Sequence, residues 1–374
     1  MLAGAAIVYL LAFHSTASNT LAITVSDKAC APSWHAPPSG QSTFELRNLT
    51  NEPYEVDLVG ADQQTVYGRV ELLGPHTQRP LPVALPPGRF SWRCDAASGV
   101  FTLSATATVH GPPVAAKPYV PATSDEIAAS VAAYRTSITT GMAALVTKTD
   151  RLRVAVSSGR LGIARIDWLD AHTQYERLGA AYGTFGDLDG EINGRADGLP
   201  GGIRDPHFTG FLRLEYGLWH KQPVSTLTPF VVKLDVDVRA LVKQFPTMQT
   251  APNDVALRTH EILENTLQFE LTGRTDEGSH TNLATARANV DGTESALAAI
   301  SPLLQTRDAA LLERATDGLR DFATMLDRLD RGGVWSPLTS LTQGQREQLD
   351  SDVSGLLEQL DPIPDILAID RDSD

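Results

Sequence analysis

The sequence predicts an all-β domain followed by an all-α domain, and three observations carry that expectation. From Leu21 to Val109, short runs alternate apolar and polar residues with a period of two. From Ile127 onward, apolar residues recur at threes and fours, as in Ile127, Val131, Tyr134, Ile138 and Leu145. Between them, residues 110–122 begin HGPPVAAKPYVP, with four prolines and neither period, and read as a semi-rigid linker. The expected division is therefore a leader at 1–21, a β domain at 22–109, a linker at 110–122 and a helical domain at 123–374.

The β domain is expected to be a sandwich. Its runs LAITV, STFELRNL, YEVDLVG, VYGRVELL, RFSWRC and GVFTLSATATV are separated by turns such as Pro37-Pro38-Ser39-Gly40 and Pro86-Pro87-Gly88. Gln41–Asn48 and LPPGRFSWRC resemble the strands of cupredoxin-like domains. A type-1 copper centre needs Cys, two His and a weak axial Met. Here Cys94 is followed by DAASGVF, and the four Met residues all lie outside the domain. The expected module is cupredoxin-like without type-1 copper. Its two cysteines, Cys30 and Cys94, are the only ones in the chain and are expected to form a disulfide, with free thiols or metal ligands as the alternatives.

The leader MLAGAAIVYLLAF is apolar but short for a membrane span, and small residues follow it. It lacks a charged start, so either a cleaved export signal or an uncleaved N-terminal anchor fits; both place the protein in the periplasm or outside the cell. The formal net charge is −14. Residues 22–112 hold 6 Lys/Arg and 8 Asp/Glu, net −2, and residues 113–374 hold the other 25 and 37, net −12. That balance excludes a phosphate-backbone partner, hence nucleic acid. It also gives the helical region a field that concentrates cations.

Thr123 and Glu126 form a capping-box pattern that starts the first helix. Further helical runs are expected near 160–182, 206–220, 225–245, 253–272, 281–300, 306–330 and 341–360, with Pro252, Gly273 and Pro302 between runs. About 250 residues exceed a single four-helix unit, and two stacked four-helix bundles would accommodate them.

Three segments cluster ligand-type side chains. His172 and Glu176 lie four apart; Glu215 sits in FTGFLRLEYGLWHK; and His260, Glu261 and Glu264 sit in RTHEILENTLQFE, with His260 and Glu264 again four apart. Helical bundles bind iron or manganese through carboxylates from several helices with His at such spacing. The intervening GDLDGEINGRADG alternates acids and glycines like a calcium loop, but lacks the full twelve-residue pattern. Asp187 and Asp189 are expected there to cap a helix or bond to Arg195, and with Glu261 they are the additional acids. Glu264 occupies the second His position of a zincin H-E-x-x-H, which disfavours a conventional zinc protease.

The segments DWLDAHTQYERLGAAYGTFGDLDGEINGR, DPHFTGFLRLEYGLW, THEILENTLQFELTG and TNLATARANVDGTESAL resemble the helical domain of the EfeO/imelysin family. The resemblance implies an imelysin-like helical bundle behind a cupredoxin-like domain, in the order found here. It implies an extracytoplasmic iron-binding component of an EfeUOB-type uptake system, which binds Fe2+ or Fe3+ in preference to zinc. It further implies a membrane iron permease and a haem-type peroxidase as partners. A peptidase label also attaches to the family, so a metallopeptidase-like enzyme is one alternative and a metal-free interaction protein another. The family's hallmark is an H-x-x-E motif on a helix beginning F-x-G-F-H-R. Phe208, Gly210, Phe211, Arg213, Leu214 and Glu215 match it, and the His position is Leu212. The resemblance leaves Glu176, Glu215, His260 and Glu264 as expected ligands, with His172 as a substitute for the lost imidazole.

Overall fold

The computed structural model describes residues 21–179 and 182–367, which fall in two compact units, Met1–Val120 and Pro121–Asp374. Of the leader expected at 1–21, residues 1–20 lie outside the described residues, and Leu21 opens the first strand. Among the described residues no helix is long and apolar enough to cross a membrane.

The first unit contains β1 (Leu21–Ser26), β2 (Ala29–Cys30), β3 (Gly40–Asn48), β4 (Tyr54–Gly60), β5 (Val66–Leu73), β6 (Gln78–Leu85), β7 (Gly88–Ala96), β8 (Phe101–Leu103) and β9 (Ala107–Val109). One sheet runs β2-β1-β3-β6; the other runs β5-β4-β7-β8, with β9 also on β7. Their shared core buries Phe44, Leu46, Val56, Leu58 and Trp92 completely, with Phe44 edge-on to Trp92 at 4.9 Å between centroids. The expected disulfide joins Cys30 on β2 to Cys94 on β7, tying one sheet to the other. Cys94 therefore offers no thiolate to a metal.

Every residue of β4 is buried, because its second face is covered as well. On that face Asp57 lies opposite Arg69 of β5 and Arg93 of β7. Asp57 accepts two hydrogen bonds from Arg69, at 2.8 and 2.7 Å, and one from Arg93 at 3.2 Å. Arg93 Nε also donates to Asp95 at 3.0 Å, and Glu55 Oε1 lies 3.0 Å from Arg69 Nη2. The proline-rich stretch returns to this unit. Ser39 holds the carbonyls of His110 and Pro112, and Tyr119 pairs with Val66, setting its ring 6.0 Å from the Arg69 guanidinium.

The second unit is helical: α1 (Ser124–Ser157), α2 (Leu161–Glu176), α3 (Tyr182–Phe185), α4 (Asp187–Asn193), α5 (Gly210–Trp219), α6 (Val224–Gln244), α7 (Asp254–Asn265), α8 (Asn282–Arg307), α9 (Ala309–Asp327), α10 (Gln343–Leu360) and α11 (Pro362–Ile366). Thr123 and Glu126 make the expected reciprocal cap of α1. Two groups of helices share α8: α1, α2, α5 and α6 on one side, and α7, α9, α10 and α11 on the other. A single apolar core runs through both groups, so they are fused rather than separately cored. Pro302, expected to end a helix, lies inside α8. Burial of Ile300, Leu303 and Leu304 on either side of it holds the helix together despite the missing N–H.

Candidate metal centre

The C-terminal half of α2 buries one face, carrying Trp168, Ala171, His172, Tyr175 and Glu176. His172 is only 3% exposed and stacks on the Trp168 ring at 4.8 Å, with Phe211 of α5 5.3 Å away. These rings fix the imidazole. Its Nε2 lies 3.0 Å from Glu176 Oε1 and 3.1 Å from Asn193 Oδ1 at the end of α4. Asn193 Nδ2 in turn donates to Glu176 Oε1 at 2.8 Å. Nδ1 of His172 is buried without a hydrogen-bond partner among the described residues.

These groups line a cavity of about 260 Å³ together with Asp189, Leu212 and Glu270. The opposing contribution comes from the end of α7. Arg258, Ile262 and Asn265 share a helical face at intervals of four and three, and line the cavity. A π-helical turn, Thr266–Glu270, then widens the helix and delivers both Phe269 and Glu270 to the same cavity. Glu270 is 6% exposed and accepts from Asn282 Nδ2 at 3.2 Å, while Asn289 of α8 donates to Thr266.

The cavity sets three carboxylates, Glu176, Asp189 and Glu270, against His172 and two guanidiniums, Arg195 and Arg258. Burial pushes Glu270 up to about 7, reinforced by the negative charge of Glu176. Burial likewise pushes Asp189 up to about 6, against a 2.6 Å hydrogen bond from the Tyr175 hydroxyl. His172 moves the other way. Burial opposes its charge, but the hydrogen bond and charge of Glu176, with Glu215 and Glu270 behind, raise its pKa. Both raised carboxylates favour the neutral form unless a further cation is present.

The structure brings His172 and Glu176 together and separates the other expected ligands. Glu215 is 1% exposed, but its Oε1 accepts from the backbone amides of Glu277 at 3.1 Å and Ser279 at 2.9 Å. It anchors the loop before α8 and does not line the cavity, and burial pushes it up to about 8. His260 and Glu264 form a loose pair 3.8 Å apart, outside the cavity lining. They sit about 200° around α7 from Arg258 and Ile262, the residues that face the cavity. Glu261 pairs with Arg258. Asp187 lies in the first turn of α4, so GDLDGEIN is helix rather than calcium loop. Asp189 bonds to Tyr175, and Arg195 bonds instead to Asp197 at 3.0 Å. In the β unit, Glu55, Asp57 and Asp95 come close enough to share a cation, but Arg69 and Arg93 already bind them.

Residues 130–363, which include every residue lining the cavity, match the imelysin family of peptidase type. The chain belongs to the imelysin family. This imelysin is also similar along most of its length to curated iron-uptake proteins. It is 27% identical over 351 residues to the iron uptake system component EfeO of Yersinia pestis, covering 93% of this chain and 91% of that one. It is 25% identical over 354 residues to the component of the same name from Escherichia coli K12, with the same coverage. Both alignments extend well beyond the imelysin match, which accounts for the helical unit alone.

Proposed function

We propose that this imelysin is the extracytoplasmic iron-binding component of an EfeUOB-type uptake system, holding iron as cargo in the cavity beside α2. The observation that carries the reading is the buried set His172, Glu176 and Glu270, one imidazole and two carboxylates that line one cavity. Mixed nitrogen and oxygen donors from different helices suit iron. Leu212 withdraws an imidazole from α5, and His172 supplies one from α2. His260 and Glu264 leave the proposed ligand set, and Glu270 joins it.

A carrier rather than a hydrolase fits this site, since its relatives are named as uptake components and its His-Glu pair on α7 lies outside the cavity. The apolar start of the chain supports export. Delivery would be to a membrane iron permease, with a haem-type peroxidase as the further partner, and the β unit would act as a cupredoxin-like docking module.

Titration of the metal-free protein with Fe2+ under anaerobic conditions, and with Fe3+, tests the proposal beside His172→Ala and Leu212→His. One iron should bind the unaltered protein, and His172→Ala should weaken it at least about tenfold. Binding by Leu212→His alone would refute it.

A further inference from the structure

We propose that the cavity takes iron as a complex with a small hydroxy-carboxylate anion of the citrate class, and that Arg195 holds a carboxylate of that anion. The inference rests on the reading of the cavity as an iron site and makes the cargo a chelate rather than a bare ion. Size is the first observation. Three protein donors leave half of a six-coordinate shell open. Three waters filling it would take about 30–45 Å³. The cavity measures about 260 Å³, which leaves room for a molecule beside the metal. Burial then divides the lining. His172, Glu176 and Glu270 are buried, whereas Arg195 and Phe269 are half-buried and Asn265 is exposed. The proposed ligands therefore form the floor, and Arg195 stands at the mouth.

Charge is the second observation. The acids and bases of the lining are close to balance, so bare Fe3+ would bring three positive charges to a cavity that already holds two guanidiniums. Fe3+ with a trivalent anion such as citrate is neutral and adds none. Arg258 is already committed, paired with Glu261 and acting by its charge on Asp189.

Arg195 differs. Its acid, Asp197, takes a 3.0 Å hydrogen bond from Nε alone and lies outside the lining. The Phe269 ring, with its centroid 3.8 Å from the guanidinium carbon, holds the group against the cavity wall. Both Nη nitrogens are left without a hydrogen-bond partner among the described residues. Such a planar pair of donors matches the two oxygens of a carboxylate. The Asn265 side-chain amide, in the same lining and also without a partner among the described residues, can meet a hydroxyl.

Equilibrium dialysis of the full protein against radiolabelled citrate, with and without Fe3+, reads the anion itself. Anaerobic titration with Fe2+ in citrate-free buffer reads the bare ion. One citrate should be retained per iron. Arg195→Gln should weaken binding of ferric citrate at least about tenfold, through loss of a charge-assisted pair, and Arg195→Lys should weaken it less. Arg195→Gln should bind bare Fe2+ no more weakly than the unaltered protein, because a repelling charge has gone. Iron retained from ferric citrate without the anion, or citrate retained equally by Arg195→Gln, would overturn the proposal. Equal weakening of ferric citrate and bare Fe2+ in Arg195→Gln would also overturn it, since a merely structural arginine gives that result. If the protein binds iron in neither form, the functional reading falls. Citrate still retained, and lost in Arg195→Gln, would then keep the anion site, and citrate not retained would sink both.

Discussion

Replacing Glu55 by Gln should change the pH dependence of the β unit's stability in a defined direction. The five charged side chains on the outer face of β4 comprise three acids and two arginines. Asp57 takes hydrogen bonds from both arginines, and Asp95 takes one from Arg93. Glu55 is left with a single 3.0 Å contact to Arg69, which is already committed to Asp57. Burial accordingly pushes the Glu55 carboxyl up from 4.5 to about 7, helped by Asp57 and Asp95 and opposed by Arg69 and Arg93. With a raised folded-state pKa, the folded protein binds the proton more tightly than the unfolded chain. This stabilisation is fully present below pH 4.5 and is lost as pH rises to about 7. A shift of this size corresponds to about 3 kcal/mol. Glu55→Gln is neutral at every pH and keeps the shape, so it escapes the loss. Urea unfolding at pH 4 and pH 8, followed in both proteins, should show the variant gaining about 3 kcal/mol relative to the original between the two pH values. A stability difference that does not change with pH would show that Glu55 is not protonated more tightly in the folded protein.

Removing the disulfide with Cys30→Ser and Cys94→Ser should cost the β unit about 4 kcal/mol, from the 64-residue separation it closes, measured as a lower urea midpoint for that unit. Glu215→Ala should leave the buried amides of Glu277 and Ser279 unsatisfied and cost about 1–3 kcal/mol, with faster amide exchange across 273–281. Phe211→Ala, in contact with both His172 and Tyr175, should cost about 3–5 kcal/mol and loosen the imidazole, visible as a broadened His172 resonance.

Much of this architecture was legible in the sequence because local rules and tertiary packing agree. Alternation placed the strands, the Thr123 cap fixed the start of α1, and two cysteines in one small domain implied their bond. The i, i+4 spacing of His172 and Glu176 was equally readable, and α2 does bury that face. The same spacing misled on α7, where the buried residues Val255, Thr259, Ile262 and Leu263 face inward and carry Arg258 with them toward the cavity, leaving His260 and Glu264 outside it. Glu270 escaped notice because its position depends on a π turn, which has no periodic signature. Glu215 looked like a ligand by its neighbours in sequence. Its actual partners are backbone amides more than sixty residues away, which no local pattern reveals. The proline-rich stretch reads as a semi-rigid linker; the contacts that return it to the β unit, Tyr119 to Val66 and Ser39 to His110 and Pro112, are long-range and leave no local pattern.

The proposed iron ligands in the cavity beside α2 are His172, Glu176 and Glu270. X-ray absorption at the iron edge, on protein loaded with one equivalent, tests them most directly. Oxygen neighbours with one imidazole are expected, with loss of the imidazole signal in His172→Ala but not in His260→Ala. An unchanged imidazole signal in His172→Ala, or its loss only in His260→Ala, would rule out His172 as the ligand.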